Sequence, residues 1–420
     1  MSIEKIDTLV VGAGQAGIAA SEHLANHGIS HIVLERDRIA EKWRSARWDS
    51  LVANGPAWHD RFPNREFDAP NHDSFVSKEA VADYFVDYAT QIKAPIRCGV
   101  TVKHAEKLQQ GGGFLVNTSD GDFEARHIIV ATGAFQNPVI PNLVPTETDV
   151  VQMHSNDYRN PAQLAKGAVM VVGAGSSGAQ IAEELMDAGR QVYLSVGPHD
   201  RPPRSYRGRD FCWWLGVLGK WDLQTPGPGT EHVTIAVSGA KGGTTVDFRR
   251  FAFGGMQLVG RTESFSDGKL RFSDDLAENI KNGDANHQSL LDEADAYIAL
   301  NQLDFPEDPD ERKRWPDPHC LTQPLETLDL VAAGITTIIW ATGFSVDYSW
   351  LDVEAFDATG KPLHQRGVSE EPGIYFLGLP WQSRRGSSFI WGVWHDAKFV
   401  ADQIAIQHVY QTYRPSQNVS

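Results

Sequence analysis

Two short apolar runs set the pattern of this chain. Ile6-Asp7-Thr8-Leu9-Val10-Val11 and, much later, Ala168-Val169-Met170-Val171-Val172 group their β-branched residues in near-continuous blocks, as strands buried on both faces do. Each run leads into a glycine-rich hexapeptide, Gly12-Ala13-Gly14-Gln15-Ala16-Gly17 in one case and Gly173-Ala174-Gly175-Ser176-Ser177-Gly178 in the other. Each hexapeptide opens a helix-like stretch, Ile18–Asn26 and Ala179–Asp187, with Gly28 and Gly189 placed to stop it. A second strand follows each helix, at His31–Glu35 and at Gln191–Val196. The copies lie 161 residues apart, the spacing of domains and too long for a solenoid.

The remaining apolar segments extend the pattern. Phe123–Val130 ends in Ala131-Thr132-Gly133, and Thr336–Trp340 ends in Ala341-Thr342-Gly343. A last strand, Gly373–Gly378, precedes a turn rich in Gly and Trp and a helix from Trp394 to Val409. The predicted fold is α/β, with two Rossmann-type dinucleotide-binding domains, one inserted into the other. The expected limits are 1–160 for the first part of the split domain, 161–320 for the insert and 321–420 for the closing part. Residues 222–308 give no assignment beyond a helical patch at Leu290, Leu291, Ala294 and Ile298.

Composition narrows the partners. With 420 residues the chain buries a large core without disulfides. A formal net charge of −16 argues against nucleic acid or an anionic membrane as the main partner. Cys98, Cys212 and Cys320 form no metal or disulfide spacing, so a reducing cytoplasm is expected. The polar stretch Met1–Asp7 predicts no leader, and no apolar run reaches membrane-spanning length. The expected partner is a small molecule; the choice between monomer and homodimer stays open.

The glycine clusters carry the chemistry. Gly12 turns the chain, Gly14 lets backbone approach a pyrophosphate, and Gly17 packs the helix on the sheet, whose N-terminus then faces the phosphates. Glu35, 23 residues after Gly12, is spaced to accept hydrogen bonds from ribose hydroxyls. After the second cluster no acid ends the strand. Ser195 stands there, and Arg201 and Arg204 follow, a set suited to a 2′-phosphate and hence to NADPH. Two dinucleotide sites in one chain suggest hydride transfer from NADPH to FAD, with oxygen as the final acceptor because no redox cysteine pair is present.

These motifs, the GAGSSG form and the two Ala-Thr-Gly ends resemble the flavin-containing monooxygenase superfamily over most of the chain. The resemblance implies bound FAD, reduction by NADPH, and transfer of one oxygen atom from a C4a-(hydro)peroxyflavin to a small substrate. It places Gln15, Ala16, Arg36, Lys42, Trp43, Arg44 and Trp48 with Ala131-Thr132-Gly133 at the cofactors. It adds Gly173, Gly175, Ser176, Ser177, Gly178 and Ala341-Thr342-Gly343, and sets Asn54 near the reactive flavin carbon. A linker signature is matched at His154 and Tyr158, whereas Thr148 and Val150 depart from it. Tyr158 favours heteroatom oxygenation, of an amine or sulfide. Trp213, Trp214, Trp381, Trp391 and Trp394 are candidates for a substrate pocket. No metal site is expected, since His23 and His27 lack the acid of a zinc motif. A reductase or oxidase of the same architecture, and a nucleotide-sensing protein without activity, are the alternatives.

Overall fold

The computed structural model describes residues 3–110, 112–224 and 234–414. The first apolar run forms strand β1 (Glu4–Val11), followed by helix α1 (Gln15–Asn26) and strand β2 (His31–Glu35), which lies parallel to β1. Two helices follow, α2 (Glu41–Ser45) and α3 (Lys78–Gln91), the second capped by the Ser77 side chain on the Ala80 N–H. Strand β3 (Ile96–Cys98) extends the parallel set beyond β2. Strands β4 (Val102–Lys107), β5 (Phe114–Thr118) and β6 (Gly121–Val130) form an antiparallel meander whose last strand returns parallel to β1. The closing strand Ile374–Phe376 lies parallel to the end of β6, and the C-terminal helix Ile390–Thr412 packs along α1. Ala16, Ala19 and Ala20 on α1 let that helix approach closely, with Val393, Ala397 and Val400 buried in the same core.

The second unit is a five-stranded, wholly parallel sheet. Its order is Gln257–Val259, Val192–Ser195, Ala168–Val172, Ile335–Trp340, Val151–His154. Helix α4 (Ser176–Asp187) follows the second glycine turn as α1 follows the first. The sheet membership moves two segments out of the places expected for them. Val151–His154 and Ile335–Trp340 belong to the second sheet, although the limits 1–160 and 321–420 assigned both to the first. The register explains the shift: Ile339 faces Val171 and Trp340 faces Val172, so the second Ala-Thr-Gly must end beside the second glycine turn. The chain crosses between the sheets at Asn137–Pro138 and Phe344–Ser345, which pair antiparallel.

Much of the unassigned stretch 222–308 builds this second unit. It supplies the helix Phe248–Phe253, the edge strand Gln257–Val259, a hairpin of Thr262–Ser266 with Lys269–Phe272, and the whole of the long helix Leu276–Asn301. Residues 225–233 of that stretch lie outside the described residues. The helical patch falls on one face of the long helix, where Leu290, Leu291 and Ala294 are buried. Among the described residues no helix is long and apolar enough to cross a membrane.

Candidate functional site

The two glycine turns repeat the same local solution. Gly12 and Gly173 both take φ +108°, a conformation that side chains rarely adopt. A Cβ on Gly12 would lie 2.6 Å from the Ala131 carbonyl, and one on Gly173 2.5 Å from the Ala341 carbonyl. Each turn therefore leans on its own Ala-Thr-Gly. At Gly17 and Gly178 a Cβ would sit 1.8 Å from the carbonyl of the first glycine, which fixes the helix against the turn.

The first cradle suits a dinucleotide. A Cβ on Gly14 would meet no atom within 4 Å, so the face of the helix N-terminus is open there. Glu35 accepts from the Ala13 N–H at 2.8 Å and from the Asp37 N–H at 3.0 Å, each oxygen keeping a further lone pair for a ribose hydroxyl. Gln15 donates to the Ser388 carbonyl at 2.8 Å, joining the start of α1 to the turn before the C-terminal helix. Ala16 is buried beneath it.

A cluster of cations stands nearby. Arg36 is exposed beside Asp37. Lys42 is half-buried, and burial with the charges of Arg36 and Arg47 lowers its affinity for a proton. Arg47 has no carboxylate partner among the described residues. Its guanidinium lies 5.1 Å from the Phe135 ring, and burial pushes it down to about 10. The expected flavin-lining roles of Arg44 and Trp48 find little support: Arg44 pairs with Asp83 at 2.7 Å, and Trp48 is buried in the second unit's core. Trp43 packs against both cores.

The Ala-Thr-Gly ends meet between the sheets. Val139 donates to the Gly343 carbonyl, Gln136 reaches Thr132 and the Gly133 carbonyl, and Thr342 donates to Val139. His154 is buried against Gly343, and burial lowers its affinity for a proton. Tyr158 donates to Glu184 of α4 at 2.6 Å. Asn54 sits at the same junction. Its side-chain oxygen accepts from Gln180 of α4 at 2.9 Å, and its carbonyl accepts from Arg204 at 2.6 Å.

The second cradle is covered. Ser176, at the start of α4 next to Ser177, donates to the Ile235 carbonyl at 2.8 Å, and Gln180 donates to the Val237 carbonyl at 2.7 Å. A Cβ on Gly175 would be 3.4 Å from Thr234. The turn beneath it has the same geometry as the first cradle.

The expected clamp of Ser195, Arg201 and Arg204 does not form. Ser195 is buried, donating to Gly260 and accepting from Thr262. Arg201 pairs with Asp284 of the long helix at 3.0 Å, and Arg204 with Asp210 at the start of α5 (Phe211–Val217). The loop after the strand folds inward, and Asp284 and Asp210 offset the cost of burying its two guanidiniums. Sequence reasoning did not single out Arg261, two residues past the neighbouring strand. Its side chain pairs with Asp275 at 2.7 Å but stays 59% exposed, unlike the buried Arg201 and Arg204, and its Cγ lies 3.3 Å from where a Cβ on Gly197 would be. The expected substrate pocket is found in part, as an aromatic cavity. Of the tryptophans singled out, Trp213 and Trp391 line it, Trp214 is core, and Trp394 donates to Glu22; Trp58 and Trp221 complete the walls.

Comparison with known proteins agrees with this geometry. Residues 9–207 match the family model described as pyridine nucleotide-disulphide oxidoreductase. An uncharacterized CzcO-like oxidoreductase of Geobacillus kaustophilus is 34% identical over 95% of this chain and 98% of its own. The probable indole-3-pyruvate monooxygenase YUCCA4 of Arabidopsis thaliana is 31% identical over 95% of this chain and 90% of its own. Among solved structures, a flavin-containing monooxygenase from Stenotrophomonas maltophilia superposes with a TM-score of 0.66, at 19% identity over 97% of this chain and 100% of that one.

Proposed function

This chain belongs to the flavin-containing monooxygenase superfamily, and from that premise we propose that it is an NADPH-dependent, FAD-containing monooxygenase of a small neutral amine or sulfide. One observation carries the reading: α4, which opens on the second glycine turn, reaches through Gln180 to the side chain of Asn54 in the first unit. The two cradles thus share a junction, as transfer between two bound nucleotides requires.

The residues divide the work. Gly12, Gly14 and Gly17 with Glu35 hold the FAD, and Arg47 and Lys42 offer positive charge for phosphate. Gly173, Gly175, Ser176, Ser177 and Gly178 would hold NADPH, and the exposed guanidinium of Arg261, paired with Asp275, would supply charge for its 2′-phosphate. When bound, the flavin supplies the redox chemistry, accepting hydride and activating dioxygen. Asn54 presents a fixed amide at the junction, with its NH₂ group available because Gln180 already occupies its oxygen. Tyr158 and His154 lock the linker so that the amide keeps its place.

The test is turnover with NADPH and ¹⁸O₂ over a panel of amines, sulfides and ketones, read by product mass. Incorporation of one labelled atom is expected. NADPH oxidation with no label in any product would replace this reading by a reductase or oxidase.

A further inference from the structure

The aromatic cavity has a volume of about 450 Å³ and is lined by Trp58, His59, Cys212, Trp213, Trp221 and Trp391 among others. That size lies in the range of small-molecule sites. Two units build it: Trp58 and His59 follow the Asn54 turn, Trp391 begins the C-terminal helix, and Cys212 and Trp213 come from α5. The rings form a continuous wall. His59 stacks on Trp221 at 5.4 Å, Trp391 lies 5.2 Å from His59, and Trp221 meets Trp391 edge-on at 5.5 Å.

His59 has a defined orientation. Its Nδ1 lies 2.8 Å from Asp60 Oδ1, and the other Asp60 oxygen accepts from the Gly55 N–H at 2.9 Å. A carboxylate accepts only, so Nδ1 carries the proton, and whenever the ring is uncharged Nε2 is left as an acceptor. Nε2 makes no hydrogen bond to the described residues. The Trp391 N–H is buried and also lacks a partner among them.

Among the described residues no unpaired charge faces the cavity. Arg61 lies 3.5 Å from Glu66 and donates to the carbonyls of Trp58, Phe62 and Pro63. Burial pushes the Cys212 thiol well up and keeps it neutral, and burial lowers the proton affinity of His395.

We propose that this cavity is the substrate subsite and that it selects a flat, neutral aromatic ring bearing an N–H or O–H donor, which His59 Nε2 accepts. Stacking between indole faces would hold the ring, and the single acceptor would set its rotation. The inference refines the substrate class of the function proposed above, but binding to the oxidised flavoprotein needs neither NADPH nor oxygen. Its failure is therefore distinguishable from failure of the labelled-oxygen experiment.

The test is calorimetric titration of the oxidised holoprotein at pH 8 with 2-naphthol and with 2-methoxynaphthalene, which has the same ring but no donor. The naphthol should bind more tightly, on the order of fivefold. His59→Phe, which keeps a ring in the stack, should bring the two affinities together while the ether binds as before. Trp391→Ala should weaken both ligands. Equal affinities in the native protein, no binding of either compound, or discrimination that survives His59→Phe would each overturn the proposal. If His59→Phe does not fold, the native comparison still decides.

Discussion

Gln180 donates its side-chain N–H to the side-chain oxygen of Asn54 across the boundary between the two sheets, at 2.9 Å. A residue of the nucleotide helix therefore sets the orientation of an amide in the flavin unit.

Removing that bond should disturb coupling before it disturbs folding. Gln180→Leu is expected to retain flavin while hydrogen peroxide released per NADPH rises about fivefold, for a bond worth ~1 kcal/mol. Asn54→Ala should act the same way. A peroxide assay beside NADPH consumption checks this, and unchanged coupling in both variants would remove the pair from the mechanism.

The arginines separate into two classes. Arg261→Ala should raise the KM for NADPH roughly tenfold and leave that for NADH alone, the loss expected for a charge-assisted contact. Arg204→Ala should instead cost on the order of 3 kcal/mol of stability, because it strands Asp210 and empties the contact to the Asn54 carbonyl. Steady-state kinetics with both nucleotides and a denaturation curve distinguish the outcomes; a cofactor-selective defect in Arg204→Ala would reverse the assignment.

The glycines of the first turn should fail differently. Gly17→Ala places a methyl 1.8 Å from the Gly12 carbonyl and should prevent proper folding. Gly14→Ala meets no protein atom, so the melting temperature should hold while flavin occupancy falls, the methyl intruding where the pyrophosphate approaches. Absorbance of the purified proteins reads flavin content. Full occupancy in Gly14→Ala would count against this cradle.

Acid should destabilise the protein above the carboxylate range. His23, His127, His154, His199 and His287 are buried, and burial lowers each below its ordinary proton affinity. The unfolded chain protonates these rings near pH 6.5 while the native sites resist, so stability is full above that pH and falls as pH drops below it. Each pKa unit of difference contributes about 1.4 kcal/mol at most. Melting temperatures at pH 7.5 and 5.5 should show the decline; a flat profile would contradict it.

How much of this was legible depended on how local the cause is. β1, the Gly12 turn, α1 and Glu35 lie within 32 consecutive residues, and their spacing alone dictates the cradle. The sheet assignment of Ile335–Trp340 was hidden because its Ala-Thr-Gly end duplicates that of β6, and only pairing with Val171 and Val172 tells them apart. Arg201 and Arg204 looked available because Asp284 lies 83 residues from the first, and Asp210, although near in sequence, carries no sign that it folds back. Tyr158 was seen as a signature residue, but its partner Glu184 was invisible without the fold. Trp58, Trp221 and Trp391 come from three distant segments, so no sequence window contains the cavity they wall.

The bond from Ser176 to the Ile235 carbonyl makes the second cradle its own competitor. If a nucleotide must displace that carbonyl, its apparent affinity is the intrinsic one scaled by the share of molecules in which the bond is open. A chain latched nine-tenths of the time would bind about tenfold more weakly than an unlatched one. On that condition, residues that never touch the reductant would adjust the appetite for it, through the strength of one internal clasp.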